Sequence, residues 1–286
     1  MTLSYTPIAE IVDDIEARLS AVERISLFLD FDGTLVPIEA DPRIPRPDQA
    51  TVDTLKKLAG RQSLVTTIIS GRAVEDLYSR IRVEGIIYAG NHGLEIFGRN
   101  LHFVEGVAWN RRGDLERLTD ELSALLRPIE GTLVENKGLT ASIHYRQAAP
   151  ESLPGIQDLV RKTVARYDPM FLLTQGRKVL EIVPATNWNK GSAVQWINDQ
   201  LGGQRVLSIY AGDDNTDERA FRTLPDAVTI KIGHLPETDA RYRLPDPGAL
   251  QELLLELTIA SELRCCAEAG GEGCSERGEL TDDGHQ

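Results

Sequence analysis

Short runs of apolar residues alternate with amphipathic segments along much of this 286-residue chain. Ile8, Ile11 and Ile15 recur at helical spacing, which predicts an amphipathic helix near the N-terminus. The runs that predict buried strands of a parallel sheet lie at 27–29, 64–69, 86–89, 206–210 and 227–232. Helical patterns lie between or after these strands, at 49–58, 193–197 and 249–261. The alternation predicts an α/β fold with a doubly wound parallel sheet, whose ligands bind beyond the carboxyl ends of the strands.

The pattern changes between residues 108 and 185. Two helical stretches there alternate with two pairs of short strands, in the order 115–126, 132–135, 139–146, 153–167, 171–174 and 178–183. Helix, hairpin, helix, hairpin is typical of a compact α+β unit, so we predict that 108–185 is a domain inserted into a core formed by 1–107 and 186–260. The segment 261–286 is rich in Gly, Glu and Asp and lacks periodicity, and we expect a disordered acidic tail there.

Composition excludes several classes of function. The formal net charge of -13 argues against a surface that binds nucleic acid, because such binding needs clustered cations. We expect no secretory signal and no membrane span, since no apolar run approaches about 18 residues. The three cysteines have no spacing typical of a disulfide framework or a zinc site. We therefore expect a soluble protein in a reducing, cytoplasmic setting. We also expect a monomer, although composition does not bear on the oligomeric state.

Acidic residues follow two of the predicted strands. Asp30 and Asp32 end the first strand region, and Asp213 follows the strand at 206–210. If both strand ends meet at one sheet edge, Asp30, Asp213 and a backbone carbonyl at Asp32 supply the hard oxygen ligands that Mg²⁺ prefers. The alternatives are that Asp30 and Asp32 belong to an Asx-rich turn, and that Asp213 and Asp214 cap a helix over 218–223.

Residues suited to phosphate follow other strands. The Ser70 hydroxyl and the amides of Gly71 and Thr34 can donate to phosphate oxygens. Lys190 begins a predicted helix, a position that disfavours a cation unless an anion also lies there. The alternatives are that Ser70 is an ordinary helix cap and that Lys190 is a solvated lysine.

In order and spacing these motifs resemble those of the haloacid-dehalogenase-like (HAD-like) phosphatases: Asp-x-Asp-Gly-Thr, Ser after a strand, Lys at a helix start and Gly-Asp-Asp-x-x-Asp. The strings LFLDFDGTLVPI, ISGR, GNHGLEI, VENKGLTASIHYR, GRKVLEIVP and YAGDDNTDERAF further resemble the trehalose-6-phosphate phosphatases. The resemblance covers about 25–235 and implies a HAD-like core with an α+β cap that reads the sugar.

The resemblance also implies roles for individual residues. Asp30 would be the nucleophile, Asp32 the general acid and base, and Ser70 and Lys190 the contacts to the phosphoryl oxygens. Mg²⁺ would be held by Asp30, Asp32 and Asp213, with Asp214 and Asp217 supporting the metal site. Substrate-binding residues would be Gly33, Thr34, Gly71, Arg72, His92, Glu135, Lys137, Arg146, Lys178 and Glu181.

The assignments in the insert follow from strand geometry only in part. Glu135 and Lys137 share a face if their strand extends to Lys137, and Arg146 ends the next strand. Lys178 and Glu181 start and end the last strand of the insert, where their odd spacing puts them on opposite faces of a regular strand. The alternative is that all five are ordinary solvated charges.

Three other functions compete with hydrolysis of trehalose 6-phosphate. A phosphatase for another glycosyl phosphate, such as sucrose phosphate or a glycosyl phosphoglycerate, would share every core motif. A phosphosugar mutase would share the first motif and the general type of cap. A catalytically dead phosphatase-like module would bind or regulate a partner, although it would have no chemical reason to keep Asp30, Asp32, Lys190 and Asp213.

Overall fold

A computed structural model describes residues 4–176, 178–202, 205–234 and 237–268, with side chains described only up to residue 259. The larger of its two sheets has eight strands in the order β12-β11-β10-β1-β2-β3-β4-β5. The strands are β1 (Arg24–Asp30), β2 (Leu64–Ile69), β3 (Ile87–Gly90), β4 (Glu95–Gly98), β5 (Leu101–Val104), β10 (Val206–Gly212), β11 (Val228–Ile232) and β12 (Tyr242–Leu244). Strands β12 through β3 pair in parallel, which confirms the predicted α/β architecture.

Both faces of this sheet are covered by helices. The α-helices among the described residues are α1 (Ile8–Leu19), α2 (Gln49–Ala59), α3 (Val74–Ile81), α4 (Gly106–Asn110), α5 (Arg112–Leu126), α6 (Leu153–Ala165), α7 (Lys190–Leu201), α8 (Asn215–Thr223) and α9 (Pro247–Glu268). Successive residues of β1 point to opposite faces, so Leu27 and Leu29 pack in the cluster with α1, α2 and α9, and Phe28 packs in the cluster with α7 and α8. Burial on both sides explains why apolar residues predominate in the central strands.

The order of the strands reverses beside β1. From β1 the chain builds outward through β2 and β3, and after the insert it returns to the other side of β1 through β10, β11 and β12. In open α/β sheets this reversal leaves a crevice at the carboxyl ends of the two central strands. Asp30 ends β1, and Asp213 follows β10 directly, so the crevice begins with two carboxylates.

A hairpin that the hydrophobic pattern did not predict extends the sheet. Strands β4 and β5 pair antiparallel with each other, and β4 pairs antiparallel with β3. Arg99 and Asn100 form the two-residue turn, with φ of 48° and 66°. The usual signal for such a turn is Asn-Gly or Asp-Gly, and its absence explains why the hairpin escaped prediction.

The smaller sheet lies within the predicted insert. Its four antiparallel strands have the order β6-β7-β9-β8, with β6 (Leu133–Asn136), β7 (Ala141–His144), β8 (Phe171–Gly176) and β9 (Val179–Pro184). Helices α5 and α6 bury Leu118, Leu122 and Ile156 against this sheet. The predicted α+β insert is thus present, whereas the domain limits at 108 and 185 stay a prediction.

The C-terminal helix is longer than the pattern indicated. α9 runs to Glu268, past the predicted end at 261, so the first part of the predicted tail at 261–286 is helical. Residues 269–286 lie outside the described part of the chain. Within the described residues, the helices are too short or too polar to cross a membrane.

Candidate active site

The centre of the crevice is a buried ion pair between Asp30 and Lys190. The Lys190 ammonium donates to Asp30 Oδ1 at 2.7 Å and to Asp217 Oδ1 at 2.8 Å. Lys190 is the first residue of α7 and only 2% of it is exposed, so it is not a solvated lysine. Although burial by itself lowers the pKa of the Lys190 ammonium, Asp217 and Asp30 raise it well above its usual range. Lys190 therefore stays charged in the crevice.

Asp217 is held by four donors. Its Oδ1 accepts from Lys190 and from the Tyr210 hydroxyl at 2.7 Å, and its Oδ2 accepts the backbone amides of Asp213 and Asp214, each at 3.0 Å. A carboxylate offers about four lone-pair sites, so these bonds satisfy it. Asp217 thus orients Lys190 and the loop after β10, while its support of a metal site stays a prediction. Tyr210 was not among the predicted site residues, because its only signal in the sequence is a hydroxyl at the end of a buried strand.

Carboxylates from the two central strand ends meet as predicted. Oxygens of Asp30, Asp213 and Asp217 lie within 4.8 Å of one another, and each residue is buried. The Asp213 carboxylate lies against Gly33, where φ is 88° and a Cβ atom would collide with it. Glycine at position 33 therefore lets the loop after β1 approach the loop after β10.

These residues fit a divalent cation. Hard carboxylate oxygens are the ligands that Mg²⁺ prefers, and three buried carboxylates carry more negative charge than Lys190 neutralises. Burial raises the pKa of the Asp30 carboxyl well above its usual range; Lys190 opposes the rise, and Asp217 and Asp213 add to it. A cation between Asp30 and Asp213 would offset this repulsion. Because Asp217 already accepts four hydrogen bonds, Asp30 and Asp213 are the better suited ligands.

Asp214 has the role that the sequence analysis gave as the alternative. It is the N-cap of α8, where its Oδ1 accepts the Thr216 amide at 2.7 Å, and it forms a capping box with Asp217. The helix therefore begins at Asn215, three residues before the predicted start at 218. Burial raises the pKa of Asp214, but Lys190 and the hydrogen bonds from Thr216 outweigh it and lower the pKa. The two adjacent aspartates therefore have different surroundings. Asp213 faces Asp30, and Asp214 caps the N-terminus of α8.

Asp32 lies beyond the end of β1, so its direction is not set by strand alternation. It forms a bridge with Val36 in the turn after the strand. Its carboxylate is bound by the Arg72 guanidinium, from Nε at 2.6 Å and from Nη2 at 2.7 Å. Arg72 also donates to Asp76 at 3.0 Å. The structure thus places Asp32 beside the Ser70-Gly71-Arg72 loop.

The residues predicted to bind phosphate lie around Asp32 and Arg72. Ser70 follows β2, is 2% exposed, and accepts the Arg72 amide on its hydroxyl at 3.2 Å. Thr34 is fully buried, and its hydroxyl has no hydrogen-bond partner among the described residues. Gly71 directs its carbonyl to the Lys137 ammonium at 2.9 Å. Because Ser70 follows β2 and Asp30 ends the neighbouring parallel strand β1, both residues lie at the same edge of the sheet.

A cavity of about 910 Å³ lies between this edge and the insert. Core residues Asp30, Asp32, Ser70, Lys190 and Asp213 line one side of it. All five residues predicted in the insert line the other, namely Glu135, Lys137, Arg146, Lys178 and Glu181. The insert therefore faces the acidic crevice across a space large enough for a small molecule.

Two charged clusters lie on the insert side. His144 Nε2 lies 2.8 Å from Glu135. Burial raises the pKa of Glu135, but His144 and Lys137 outweigh this effect and lower the pKa. His92 Nε2 of the core lies 3.1 Å from Glu181, and Lys137 lies 3.8 Å from it. Burial raises the pKa of Glu181, but His92 and Lys137 outweigh it and lower the pKa well below its usual range. Both glutamates are therefore ionised acceptors at neutral pH.

The remaining predicted residues lie at the rim. Lys178 precedes β9 in a turn with φ of 61°, so strand alternation with Glu181 does not apply to it. Arg146 donates to the carbonyl of Glu39 at 2.9 Å. Glu39 belongs to the segment 38–45, which contributes seven residues to the cavity wall: Ile38, Glu39, Ala40, Asp41, Pro42, Arg43 and Pro45. No site residue was predicted in this segment.

Comparison with known proteins identifies a family. The trehalose-phosphatase family model matches residues 28–247. The probable trehalose-phosphate phosphatase D of Arabidopsis thaliana is 35% identical over 257 residues, covering 84% of this chain and 69% of that protein. Trehalose-phosphate phosphatase B of the same plant is 34% identical, covering 82% of this chain and 66% of that protein. The crystal structure of a trehalose-6-phosphate phosphatase related protein shares the fold, with a TM-score of 0.75 at 24% identity, covering 84% of this chain and 99% of that one.

Proposed function

This chain belongs to the trehalose-phosphatase family, and from that premise we propose that it hydrolyses trehalose 6-phosphate to trehalose and inorganic phosphate. Membership confirms the resemblance drawn from the motifs and makes the chain a phosphoric monoester hydrolase. The observation that carries the proposal is the pairing of Asp30 with Lys190, 2.7 Å apart, on one wall of a cavity whose other wall is the insert. A nucleophile beside a buried cation suits an anionic phosphate, and a polar insert suits a hydroxylated sugar.

The first step is a displacement at phosphorus by Asp30. A carboxylate oxygen of Asp30 forms a bond to phosphorus while the bond from phosphorus to the sugar O6 breaks, which gives an aspartyl-phosphate. Asp32 donates its proton to O6, so that trehalose leaves as a neutral alcohol. Lys190 and the Ser70 hydroxyl bind the phosphoryl oxygens and balance their charge.

The second step returns the enzyme to its starting state. Asp32, now ionised, takes a proton from water, whose oxygen attacks phosphorus and breaks the bond to Asp30. Inorganic phosphate leaves, Asp30 is again a carboxylate, and Asp32 is again protonated. Dividing the reaction into two displacements suits phosphate monoesters, whose uncatalysed hydrolysis is among the slowest known.

Mg²⁺ is the cofactor that we propose for this site. Asp30 and Asp213, with the backbone carbonyl of Asp32, would hold the ion, and Asp217 and Asp214 would support it. When bound, the ion supplies positive charge to the phosphoryl oxygens. The convergence of carboxylates within 4.8 Å supports this proposal.

Recognition of the sugar is assigned to the insert, which acts as the cap. Glu135 and Glu181 are ionised acceptors for sugar hydroxyls, and Lys137 is a donor whose ammonium lies 2.9 Å from the Gly71 carbonyl. A phosphatase for another glycosyl phosphate, such as sucrose phosphate, would use the same core, so the cap residues carry the choice of sugar. The monomeric state and the cytoplasmic location stay predictions from the sequence.

The test is a phosphate-release screen of the purified chain with Mg²⁺ over a set of sugar phosphates. We expect trehalose 6-phosphate to have the highest kcat/KM, with sucrose 6-phosphate and glucosyl phosphoglycerate far below it. A higher value for either competitor would contradict the proposed sugar. Isomerisation without phosphate release would favour a mutase, and no turnover of any substrate would favour a catalytically dead module.

A further inference from the structure

Asn91 lies at the junction of the core and the cap, and none of its surface is exposed. Its amide nitrogen donates to Glu95 Oε1 at 2.8 Å and to the carbonyl of Lys137 at 3.1 Å. Its amide oxygen accepts the hydroxyl of Thr140 at 2.5 Å. Lys137 and Thr140 flank the turn between β6 and β7, which we call the cap turn (137–140). The side chain of Asn91, a core residue, therefore forms two hydrogen bonds to the cap turn.

The backbone beside Asn91 holds the loop that carries Ser70. The Asn91 amide donates to the carbonyl of Arg72 at 2.7 Å, and the His92 amide donates to the carbonyl of Ser70 at 2.8 Å. Gly90 permits this approach, because a Cβ atom there would collide with the backbone at 72–74. The loop 70–72 and the cap turn are thus both bonded to the same residue from opposite sides.

The conformation of this segment is an unusual one. Asn91 and His92 have φ of 49° and 61°, in the left-handed region that non-glycine residues seldom adopt. Such a conformation persists when its surroundings fix it, and here hydrogen bonds to the cap turn and to loop 70–72 do so. Loss of the bonds on the cap side removes part of that constraint from residues that also hold loop 70–72.

From this geometry we propose that Asn91 is a positioning residue for loop 70–72. When the cap turn docks on Asn91, the hydrogen bonds of Asn91 and His92 fix the position of Ser70. The ammonium of Lys137 on the Gly71 carbonyl is a second contact between the same two segments. The link to catalysis rests on the proposed function, since it requires that Ser70 binds the phosphoryl group. The mechanical coupling of the cap turn to loop 70–72 does not depend on the proposed function.

The coupling is tested by hydrogen exchange in Thr140→Val, which keeps the shape of the side chain and removes its donor. We expect amide exchange at 70–74 and 91–92 to accelerate about fivefold, the size of one net hydrogen bond. Thr163→Val is the matched control, because Thr163 is also buried in the cap, at 3% exposure, but its hydroxyl donates to the Leu159 carbonyl within α6. Acceleration confined to the cap turn, or equal acceleration in both variants, would overturn the proposal.

Kinetics test the catalytic consequence. We expect Thr140→Val and Asn91→Ala each to lower kcat on trehalose 6-phosphate several-fold, and the double variant to lose no more than Asn91→Ala alone, because both remove one connection. Additive losses would overturn the proposal. If Asn91→Ala does not fold, exchange in Thr140→Val decides. If the native chain fails to hydrolyse trehalose 6-phosphate, the proposed function fails, and the exchange result still decides the coupling.

Discussion

Arg72 binds both carboxylate oxygens of Asp32, through hydrogen bonds of 2.6 and 2.7 Å, and is itself only 11% exposed. The third nitrogen of its guanidinium reaches Asp76 in the first turn of α3, and its Cζ lies 5.4 Å from the centre of the Phe31 ring. Arg72 is therefore fixed from several directions. It determines where the proposed acid and base carboxylate lies.

We expect Arg72→Lys to lower kcat about 10- to 100-fold, because an ammonium cannot reproduce the two parallel bonds and a small misplacement of a catalytic group is costly. Steady-state kinetics on trehalose 6-phosphate measure the loss. Arg80→Lys is the control, since the Arg80 side chain, 7% exposed, also binds Asp76, at 2.8 Å, and its Nη1 donates to the carbonyls of Arg43 and Pro45 rather than to Asp32. If both variants lost the same kcat, the effect would belong to Asp76 and α3.

Asp30→Asn should remove turnover and retain the fold. The amide has nearly the shape of the carboxylate but is not a nucleophile, so the aspartyl-phosphate cannot form. Phosphate release and circular dichroism measure the two effects, with Asp53→Asn on the exposed face of α2 as control. Substantial turnover by a folded Asp30→Asn protein would sink the covalent mechanism.

Chelation of divalent cations should abolish turnover, and Asp213→Ala should raise the Mg²⁺ concentration needed for half-maximal activity by at least about tenfold. The reason is the loss of one buried oxygen ligand and its charge. Titration of activity with Mg²⁺, and of binding by calorimetry, gives the two readouts. Full activity in excess chelator is the contrary outcome.

Asp214 offers a contrast with its neighbour. Asp214→Asn keeps an N-cap and should retain most of the stability, whereas Asp214→Ala should lower the free energy of unfolding by about 1 kcal/mol. Both variants should need less additional Mg²⁺ than Asp213→Ala. Urea denaturation and the same Mg²⁺ titration measure these effects, and a Mg²⁺ requirement as high as that of Asp213→Ala would make Asp214 a direct ligand.

Glu135→Ala should lose roughly 1–3 kcal/mol of transition-state stabilisation toward trehalose 6-phosphate. A small aryl phosphate lacks the sugar and should be cleaved as before. The control is Glu130→Ala, an exposed glutamate of the cap that does not line the cavity. Equal losses on both substrates would mean that Glu135 supports the fold or cap closure, and no loss on either would mean that the sugar is bound elsewhere.

A second buried lysine should matter for stability. Lys231 of β11 is fully buried, and its ammonium lies 2.9 Å from Glu218. Lys231→Met leaves the glutamate without this partner and should lower the free energy of unfolding by about 3 kcal/mol. Arg205→Met breaks an exposed pair with Glu23 and should cost less than about 1 kcal/mol. Urea denaturation compares them, and equal losses would show that burial adds nothing to the Lys231 pair.

The sequence determined the features that depend on neighbouring residues. Branched apolar runs predicted the central strands, and the range 64–69 is that of β2 itself. Because parallel strands end at one sheet edge, the positions of Asp30 and Asp213 along the chain were enough to predict that their carboxylates meet. The motifs also identified the family, since their order and spacing are properties of the chain alone.

The tertiary structure decided which partner each polar side chain takes. Lys190 and Asp30 are 160 residues apart, and Arg72 and Asp32 are 40 apart, so neither pairing is encoded in local spacing. The string Asp213-Asp214 was compatible with both a metal ligand and a helix cap, and only the path of the chain after β10 placed Asp213 beside Asp30 and Asp214 at the N-cap of α8. The alternation of side chains along a strand did not apply to Lys178, because this residue lies in a left-handed turn before β9. In each case the deciding contact comes from packing distant segments together, which local propensity does not specify.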